Sequence, residues 1–397
     1  MSSQFRYRRV IAKLGTNLLT AGSDRLNLEV MASLVGQVAR LREAGLDVII
    51  VSSGAVAAGR HRLNLGRPAQ TSNAIQKQVL AAVGQSHLMH AYDQLFQWHS
   101  ITIAQTLLTR ADLADRLGFL NARNTLRALL DLGVVPIVNE NDVVAVEELA
   151  ALNFGDNDTL SALVAGLVEA DVLIILSDIA GLFTSDPRLD PTARLLERVD
   201  RIDASVERLA GAAGTSRGRG GMVTKLRAAR LATAAGADVI ITDGRQSDAL
   251  IRAARGDRAG TLFPAAVSRV ESKKRWLLGS LIGRPRILID GGAVEALQAH
   301  GRSLLPVGVH SVEGRFERGD TVVVTDLSGR QIACGIANYS SQDLQVIRGR
   351  RSDQIADLLG YHFGAEIIHR DNLVLLDHES AVNEPRVPGP ASHVTPI

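Results

Sequence analysis

The sequence predicts an α/β protein: a doubly wound, mainly parallel sheet sandwiched by helices, followed by a small β-rich domain. Over the first two thirds of the chain, short and continuously apolar runs alternate with segments in which apolar residues recur every three or four positions. Continuous hydrophobicity is typical of strands that are buried on both faces. Repeated strand–helix alternation indicates that crossover helices cover such a sheet.

Apolar runs predict strands, and helical spacing of apolar residues predicts the helices between them. The predicted strands occupy 9–14, 47–53, 101–108, 134–139, 171–177 and 238–242, and clear helical patterns occupy 28–44, 76–95 and 120–132. Ligands of open parallel sheets bind beyond the carboxyl ends of the strands. Polar or small residues follow several runs at that edge, where we expect the chemistry: Lys13-Leu14-Gly15-Thr16, Ser52-Ser53-Gly54, Asn139-Glu140-Asn141-Asp142 and Ser177-Asp178.

Composition excludes several classes of protein. A chain of 397 residues with 46% hydrophobic and 22% charged residues is an ordinary globular protein large enough for two or three domains. Aromatic residues are scarce, at 4%, which argues against stacking platforms for single-stranded nucleic acid, and the net charge of +2 gives no overall attraction to a polyanion. The lone Cys334 rules out an internal disulfide. With no secretory or membrane-spanning pattern, we expect a cytosolic protein.

The texture of the chain changes after the first domain, which we place at 1–265. A basic segment at 266–283 is predicted to be a linker, and strand-like runs with glycine turns predict a small β-rich domain at 284–363. Residues 364–397 form a predicted tail, and prolines near its end favour disorder there.

A glycine-rich stretch from Gly211 to Gly221 leads directly into a helical pattern that includes Met222-Val223-Thr224-Lys225. Glycines let a ligand approach the backbone, and the first amides of a helix attract phosphate. The spacing matches neither a P-loop nor a dinucleotide-binding fingerprint. On its own, the stretch is equally compatible with a flexible surface linker.

Lys13 stands in a run that otherwise looks like a central buried strand, where a lysine needs an anionic partner. The structural alternative is a lysine on an edge strand that extends to water. Lys13 and Lys225 each lie beside a glycine turn, and together they could clamp the β- and γ-phosphates of a nucleotide. Phosphoryl transfer requires such positioning and positive charge.

Two clusters combine carboxylates with amides: Asn139-Glu140-Asn141-Asp142 and Gly155-Asp156-Asn157-Asp158, the second before a helix predicted near Thr159. Helix capping explains one of these residues but not both clusters. The clusters suit a zwitterionic substrate and equally suit water-mediated magnesium. Ser52 and Ser53, at the end of the second predicted strand, have two interpretations: they could bind a ligand, or they could simply begin a helix. His87 and His90 lack a third ligand, so we predict no zinc site.

These motifs, in this order, resemble the glutamate 5-kinases of the amino acid kinase superfamily, together with the segments 107–112 and 119–123. The resemblance covers the chain to about residue 370. Ile289-Asp290-Gly291-Gly292-Ala293 and the segment 303–309 resemble a PUA domain. The resemblance implies ATP-dependent phosphorylation of the L-glutamate γ-carboxylate to L-glutamyl 5-phosphate, the first step of proline synthesis. It also implies magnesium, feedback inhibition by proline and a homo-oligomer.

The resemblance assigns roles to individual residues. Lys13 and Lys225 would act on the transferred phosphate, and Asp158 would orient both lysines. Ser53, Asp142 and Asn157 would bind glutamate. The nucleotide would be held by Lys13, Ser177, Asp178, Arg219, Gly220, Gly221, Met222, Val223, Thr224 and Lys225. The family usually has threonine in place of Arg219, and commonly Thr-Asp in place of Ser177-Asp178.

Two alternatives remain open from the sequence. An RNA-binding protein could act through the PUA-like domain, where Arg348, Arg350 and Arg351 cluster. The bland interpretation of that cluster is a solvated basic loop. A related kinase could use another carboxylate or a carbamate as the acceptor. If the acceptor is a carboxylate, no general base is expected, because this nucleophile is already ionised at neutral pH.

Overall fold

The computed structural model describes residues 5–65, 74–144, 157–212, 221–266 and 285–376. The chain divides into two compact units, Met1–Ser272 and Lys273–Ile397. The predicted linker at 266–283 lies, except for Ala266, outside the described residues. In the described part of the chain, no helix combines the length and the apolar character needed to cross a membrane.

The first unit is built on a sheet whose described strands have the order β3-β4-β2-β1-β5-β6-β7. All neighbours in this sheet pair in parallel except β6 and β7, which are antiparallel. From the central strand β1, the sheet continues through β5, β6 and β7 on one side and through β2, β4 and β3 on the other, so the chain extends the sheet in both directions, as in a doubly wound sheet. The strands are β1 (Arg9–Leu14), β2 (Asp47–Ser52), β3 (Ile103–Leu108), β4 (Val135–Glu140), β5 (Val172–Ser177), β6 (Asp238–Asp243) and β7 (Thr261–Phe263).

Helices cover both faces of this sheet, because two hydrophobic clusters lie on opposite sides of the same strands. In β1, Val10 and Ala12 belong to one cluster and Ile11 to the other. The helices are α1 (Thr16–Leu19), α2 (Leu28–Glu43), α3 (Ala55–Arg62), α4 (Ala74–Gln97), α5 (Arg110–Ala114), α6 (Arg116–Asp131), α7 (Asn157–Leu167), α8 (Ala204–Ala212), α9 (Met222–Ala234) and α10 (Ala249–Arg255).

Side-chain caps fix where several helices begin. Asn27 accepts a hydrogen bond from the Val30 amide at the start of α2, and Asp115 accepts one from the Gly118 amide at the start of α6. Each cap satisfies a backbone amide that has no partner within the helix. The structure begins α7 at Asn157, two positions before the predicted start, so Asn157 and Asp158 lie in its first turn.

The second unit contains a smaller sheet with the described strand order β12-β11-β10-β8-β9. Here β8 and β10 pair in parallel, and the other neighbours are antiparallel. Its strands are β8 (Arg286–Ile289), β9 (Val309–Glu313), β10 (Thr321–Asp326), β11 (Gln331–Ile336) and β12 (Leu373–Leu375). Short helices accompany them: α11 (Gly291–Gln298), α12 (Ser341–Ile347), α13 (Ile355–Leu359) and the 3₁₀ turns Pro306–Gly308, Ser352–Gln354 and Arg370–Asn372.

The predicted fold class is confirmed: a mainly parallel sheet between helices, with a separate small β-rich unit. Two details differ from the sequence prediction. Strand β7 was not predicted, since its short run gives little pattern. The small sheet continues to β12, where Val374 pairs with Cys334, so this unit extends beyond the predicted boundary at residue 363. The rest of the predicted tail, 377–397, lies outside the described residues.

Candidate active site

The carboxyl ends of the central strands bring separate motifs to one edge of the sheet. In β1, Lys13 is in register with Val51 of β2 on one side and with Ile175 of β5 on the other. Ser52 is in register with Leu14, and Ser177 follows Leu176, the partner of Leu14 on the other side, so Ser52-Ser53 and Ser177-Asp178 lie at the same edge of the sheet as Lys13. Since parallel strands end at the same edge, motifs far apart in sequence become neighbours here.

At the centre of this edge, Lys13 and Lys225 both bind the carboxylate of Asp158. Lys13 forms an ion pair with Asp158 Oδ1, and Lys225 Nζ lies 3.2 Å from Asp158 Oδ2. Asp158 is fully buried, and each lysine is only 5% exposed. Asp158 comes from the first turn of α7, Lys13 from β1 and Lys225 from the first turns of α9. Three elements thus supply one charged cluster.

Electrostatics keep Asp158 ionised in spite of its burial. Burial raises the pKa of Asp158, but the charges of Lys13 and Lys225 and hydrogen bonds from Lys13 and Thr224 lower the pKa to about 2. Thr224 Oγ1 donates to Asp158 Oδ2 at 2.9 Å. The trio of Asp158 and the two lysines therefore carries two positive charges and one negative charge. A net positive charge at a buried position favours an anionic ligand.

The start of α9 lies directly beside this cluster. Gly221 precedes the helix, and apart from its chain neighbours no described residue lies within 4 Å of the position that a Cβ atom on Gly221 would occupy. Met222 is buried in the core, which leaves only its backbone for a ligand, whereas Val223 is exposed. Arg219 and Gly220, both predicted to bind the nucleotide, lie outside the described residues.

Ser177 and Asp178 end β5 on the same edge. Ser177 is buried, and its hydroxyl donates to Asp178 Oδ1 at 3.1 Å. Asn17 from α1 donates to Asp178 Oδ2 at 3.2 Å, and Arg245 donates to the Asp178 carbonyl oxygen at 2.7 Å. These contacts fix the chain at the end of β5, whose aspartate side chain is exposed.

On the β2 side of Lys13, an amide network joins the two predicted substrate residues Asn157 and Ser53. Asn157 Nδ2 donates to Ser53 Oγ at 3.0 Å, and to the Ser52 carbonyl oxygen and Asn139 Oδ1 at 3.1 Å each. Ser52 does not cap a helix, because its buried hydroxyl bonds to the Ser53 carbonyl oxygen and to Tyr92. Asn157 and Asp158 are adjacent, so the network adjoins the charged trio.

The third predicted substrate residue, Asp142, follows β4 and contacts Lys77. Lys77 Nζ lies 3.5 Å from Asp142 Oδ1, and both side chains are largely buried. Burial raises the pKa of Asp142, while the Lys77 ammonium opposes that rise. Lys77, which the sequence analysis did not single out, therefore favours the ionised form of Asp142 against the effect of burial.

Helix α4 contributes the functional neighbours that sequence reasoning missed: Lys77 at Asp142, Gln85 at Asn139 and Tyr92 at Ser52. The helical pattern identified α4 as a helix with a buried face. It gave no signal for which polar residue of that helix meets which strand end.

The sequence left open whether the carboxylates of the two acidic clusters bind substrate or magnesium, and the structure narrows the role of one of them, Asp158. Both oxygens of Asp158 are engaged by lysine ammonium groups, so Asp158 holds the lysines. Asp156 lies outside the described residues. Within the described ranges, no group of three or more His, Cys, Asp or Glu side chains could hold a metal ion.

Comparison with known proteins shows the family of each unit. The model of the amino acid kinase family matches residues 8–243, and that of the PUA domain matches residues 285–359. A protein of Herpetosiphon aurantiacus called glutamate 5-kinase is 50% identical over 93% of this chain and 98% of its own length. Proteins of the same name from Dehalococcoides mccartyi and Nitrosospira multiformis are 51% and 48% identical, over 93% of this chain in both cases and 99% and 98% of their own lengths.

The matched range of the first model contains every described element from β1 to β6, and the named relatives span nearly the whole chain. The chain therefore belongs to the amino acid kinase family, within the group of glutamate 5-kinases that carry a PUA domain.

Proposed function

We propose that this protein transfers the γ-phosphoryl group of ATP to the γ-carboxylate of L-glutamate, which gives L-glutamyl 5-phosphate for proline synthesis. The observation that carries this proposal is the shared carboxylate of Asp158, which holds Lys13 and Lys225 together at the carboxyl edge of the sheet. Relatives called glutamate 5-kinase, with about 50% sequence identity over nearly the full chain, support the choice of glutamate as the phosphoryl acceptor.

The nucleotide would approach from the side of α9 and β5. The amides at the start of a 13-residue helix attract phosphate, and Lys225 lies within the same turns. Lys13 binds the other oxygen of Asp158, and its ammonium lies close to the turn at Gly15, where a Cβ atom would be 3.8 Å from Nζ. We assign Ser177, Asp178 and the segment 219–225 to ATP, as the resemblance implies.

Glutamate would bind on the other side of the trio, near Ser53, Asn157 and Asp142. The buried Asp142 carboxylate suits the α-ammonium of an amino acid, and Ser53 with the neighbouring amides suits its polar groups. This division leaves the two lysines between donor and acceptor. A migrating phosphoryl group at that point would meet both ammonium groups.

The reaction needs no general base. A γ-carboxylate oxygen attacks the γ-phosphorus, the bond to the bridging oxygen breaks, and ADP departs with its electron pair. No proton is transferred, because the attacking carboxylate is already ionised at neutral pH. The lysines stabilise the charge on the moving group and on the leaving oxygen. In this proposal magnesium arrives with ATP as part of the substrate, bound by phosphate oxygens.

An acceptor panel tests the function directly. The protein is incubated with MgATP, hydroxylamine and one of L-glutamate, L-aspartate or N-acetylglutamate. We expect a hydroxamate with L-glutamate, because hydroxylamine traps acyl phosphates. A hydroxamate with another acceptor but none with glutamate would reject the assignment of the substrate and favour a related kinase.

RNA binding as the main role has weaker support. Of the arginines in the PUA-like unit, Arg351 pairs with Asp353 at 3.1 Å and Arg348 bonds to the His310 carbonyl oxygen at 3.5 Å. Salt-sensitive binding to structured RNA that is lost on removal of residues 284–397 would favour this alternative.

We also propose feedback inhibition by proline and self-association through the kinase unit, both on the strength of the family resemblance. Inhibition that rises with proline concentration in the hydroxamate assay tests the first, and sedimentation equilibrium of the full chain tests the second. Absence of inhibition or a monomer at all concentrations would reject the respective statement.

A further inference from the structure

We propose that Gln85 is a positioning residue of the acceptor site: through Asn139, it fixes the amide of Asn157 so that Asn157 Oδ1 is left to accept a hydrogen bond from the acceptor molecule. The inference deepens the proposed function and depends on it for the identity of that acceptor. It is carried by three amide side chains in series, of which Asn157 and Asn139 are each oriented by a backbone group.

The backbone dictates the orientation of Asn157. The Ser52 carbonyl oxygen can only accept a hydrogen bond, so the amide atom that faces it at 3.1 Å must be Nδ2. The same nitrogen meets Ser53 Oγ and Asn139 Oδ1. An amide nitrogen carries two hydrogens, so these three acceptors occupy it fully. Asn157 therefore has only its oxygen left for a ligand.

The orientation of Asn139 is also dictated by the backbone, in this case by a donor instead of an acceptor. The Glu140 amide can only donate, so the Asn139 atom that faces it at 2.9 Å must be Oδ1. Asn139 Nδ2 then points to Gln85, whose Oε1 accepts at 2.7 Å. This hydrogen bond to Gln85 holds the amide nitrogen of Asn139, a residue that is buried. Without the Gln85 oxygen, the buried Nδ2 of Asn139 would lack this hydrogen bond, and the orientation of the Asn139 side chain would be less firmly fixed.

The series leaves two polar atoms unmatched. Among the described residues, Asn157 Oδ1 and Gln85 Nε2 are buried and have no hydrogen-bond partner. Burying an unmatched polar atom lowers stability, and a methionine at position 85 would pack with no such penalty. An acceptor with an ammonium group supplies the donor that Asn157 Oδ1 lacks. An amino acid has that group, whereas an acceptor without an N–H or O–H group does not.

The fold also makes Gln85 a rigid support. The preceding residue, Gly84, lies where α4 touches α3: a Cβ on Gly84 would come within 1.8 Å of the Ala55 carbonyl oxygen. Helix α3 begins directly after Ser53 and Gly54. Close packing of the two helices thus fixes Gln85 relative to the Ser53 turn, as a supporting residue requires.

The test compares Gln85→Met with Gln97→Met, a matched change on the same helix at an exposed glutamine that bonds to Asp93. For Gln85→Met we expect the acceptor KM to rise about 3- to 10-fold, the effect of one lost hydrogen bond, while the ATP KM stays unchanged. Gln97→Met should alter neither constant. An unchanged acceptor KM in Gln85→Met, or equal rises in both KM values, would overturn the proposal.

A double-mutant cycle with Asn139→Ala shows whether Gln85 acts through Asn139. If Gln85 acts through Asn139, Gln85→Met should have little further effect on the acceptor KM once Asn139 is truncated. If the two effects on KM instead add fully, Gln85 acts independently of Asn139, which contradicts this relay. If another amino acid is the true substrate, or if glutamate binds without turnover, the assignment of function fails. The cycle is then measured with that acceptor, or by calorimetric glutamate affinity. Failure of the wild type to bind any amino acid would overturn the relay itself.

Discussion

Lys13 and Lys225 bind different oxygens of the same buried carboxylate, that of Asp158. One lysine comes from the central strand and the other from a helix that begins beyond the glycine-rich stretch. With only one negative charge among the three groups, the trio is better balanced with an anion present than without one. We therefore expect bound phosphate to stabilise this region, and several experiments follow from that expectation.

Replacing either lysine by methionine should lower kcat about 100- to 1,000-fold, because one positive charge on the transferring group is lost. Methionine preserves most of the buried volume, and the remaining lysine still pairs with Asp158. Steady-state kinetics with MgATP and glutamate measure the effect. Arg227→Met, which removes an exposed charge from the same helix, serves as the control and should keep the wild-type kcat. Normal turnover in both lysine variants would exclude the proposed clamp.

Replacing Asp158 by asparagine should destabilise the protein by about 3–5 kcal/mol, since two buried ammonium groups lose their shared anion. Denaturant unfolding without nucleotide measures this loss. Asp200→Asn, at an exposed aspartate paired with Arg198, should cost at most about 1 kcal/mol. MgATP should raise the Tm of Asp158→Asn more than that of the wild type, because phosphate restores negative charge. An equal Tm increase in the two proteins would show that the nucleotide does not approach the lysines.

In the wild-type protein, the ion pairs between Asp158 and the two lysines should also weaken in acid. The pKa of Asp158 in the folded protein, about 2, is below its unfolded value, so its contribution to stability is present above the unfolded pKa. That contribution should disappear as pH falls from about 4 towards 2. The expected result is a smaller difference in unfolding free energy between wild type and Asp158→Asn at the acid end of this window. A difference that is constant across the window would contradict the assigned ionisation.

Lys77→Met should change the pH dependence of glutamate binding. Burial already raises the pKa of Asp142, and removal of the Lys77 charge would raise it further. As pH falls, Asp142 should therefore become neutral at a higher pH in the variant, and the glutamate KM should begin to rise at a higher pH. Lys77→Arg, which keeps the charge, should restore much of the wild-type profile. Superimposable KM profiles for Lys77→Met and wild type would remove Asp142 from the site.

The residues found from the sequence are those that break a local pattern. Lys13 interrupts an apolar strand, Lys225 follows a glycine-rich stretch, and Asp158 belongs to a cluster that capping does not explain. Each anomaly is visible within a few positions. Their convergence on one carboxylate follows from the strand order, in which β1 lies between β2 and β5. Local patterns could predict these three residues, whereas their pairing came from the family resemblance and is explained physically by the topology.

The residues missed are polar side chains on a regular helix. Lys77 and Gln85 occur in α4, where glutamine and lysine are common surface residues and give no anomaly. Their contacts with Asp142 and Asn139 depend on where α4 packs, which is set by Gly84 of α4 and Gly59 of α3. Helical spacing predicts the buried face of a helix, but it does not predict its sliding position along a neighbour.

The glycine contact between α3 and α4 should be intolerant of even one added methyl group. In Gly84→Ala, the new Cβ would lie 1.8 Å from the Ala55 carbonyl oxygen and 2.4 Å from the Gly59 amide, both backbone atoms that cannot move aside. The helices would have to separate, which overpacking data place at about 1–3 kcal/mol or more. Gly36→Ala in α2 is the matched control: no residue in the described part of the chain would contact its Cβ, so the better helix propensity of alanine should stabilise the protein by about 0.5–1 kcal/mol. Denaturant unfolding measures both changes, and the glutamate KM should rise only in Gly84→Ala, because α4 carries Lys77 and Gln85. If the two variants had the same stability, α3 and α4 could not be packed as closely as their glycines indicate.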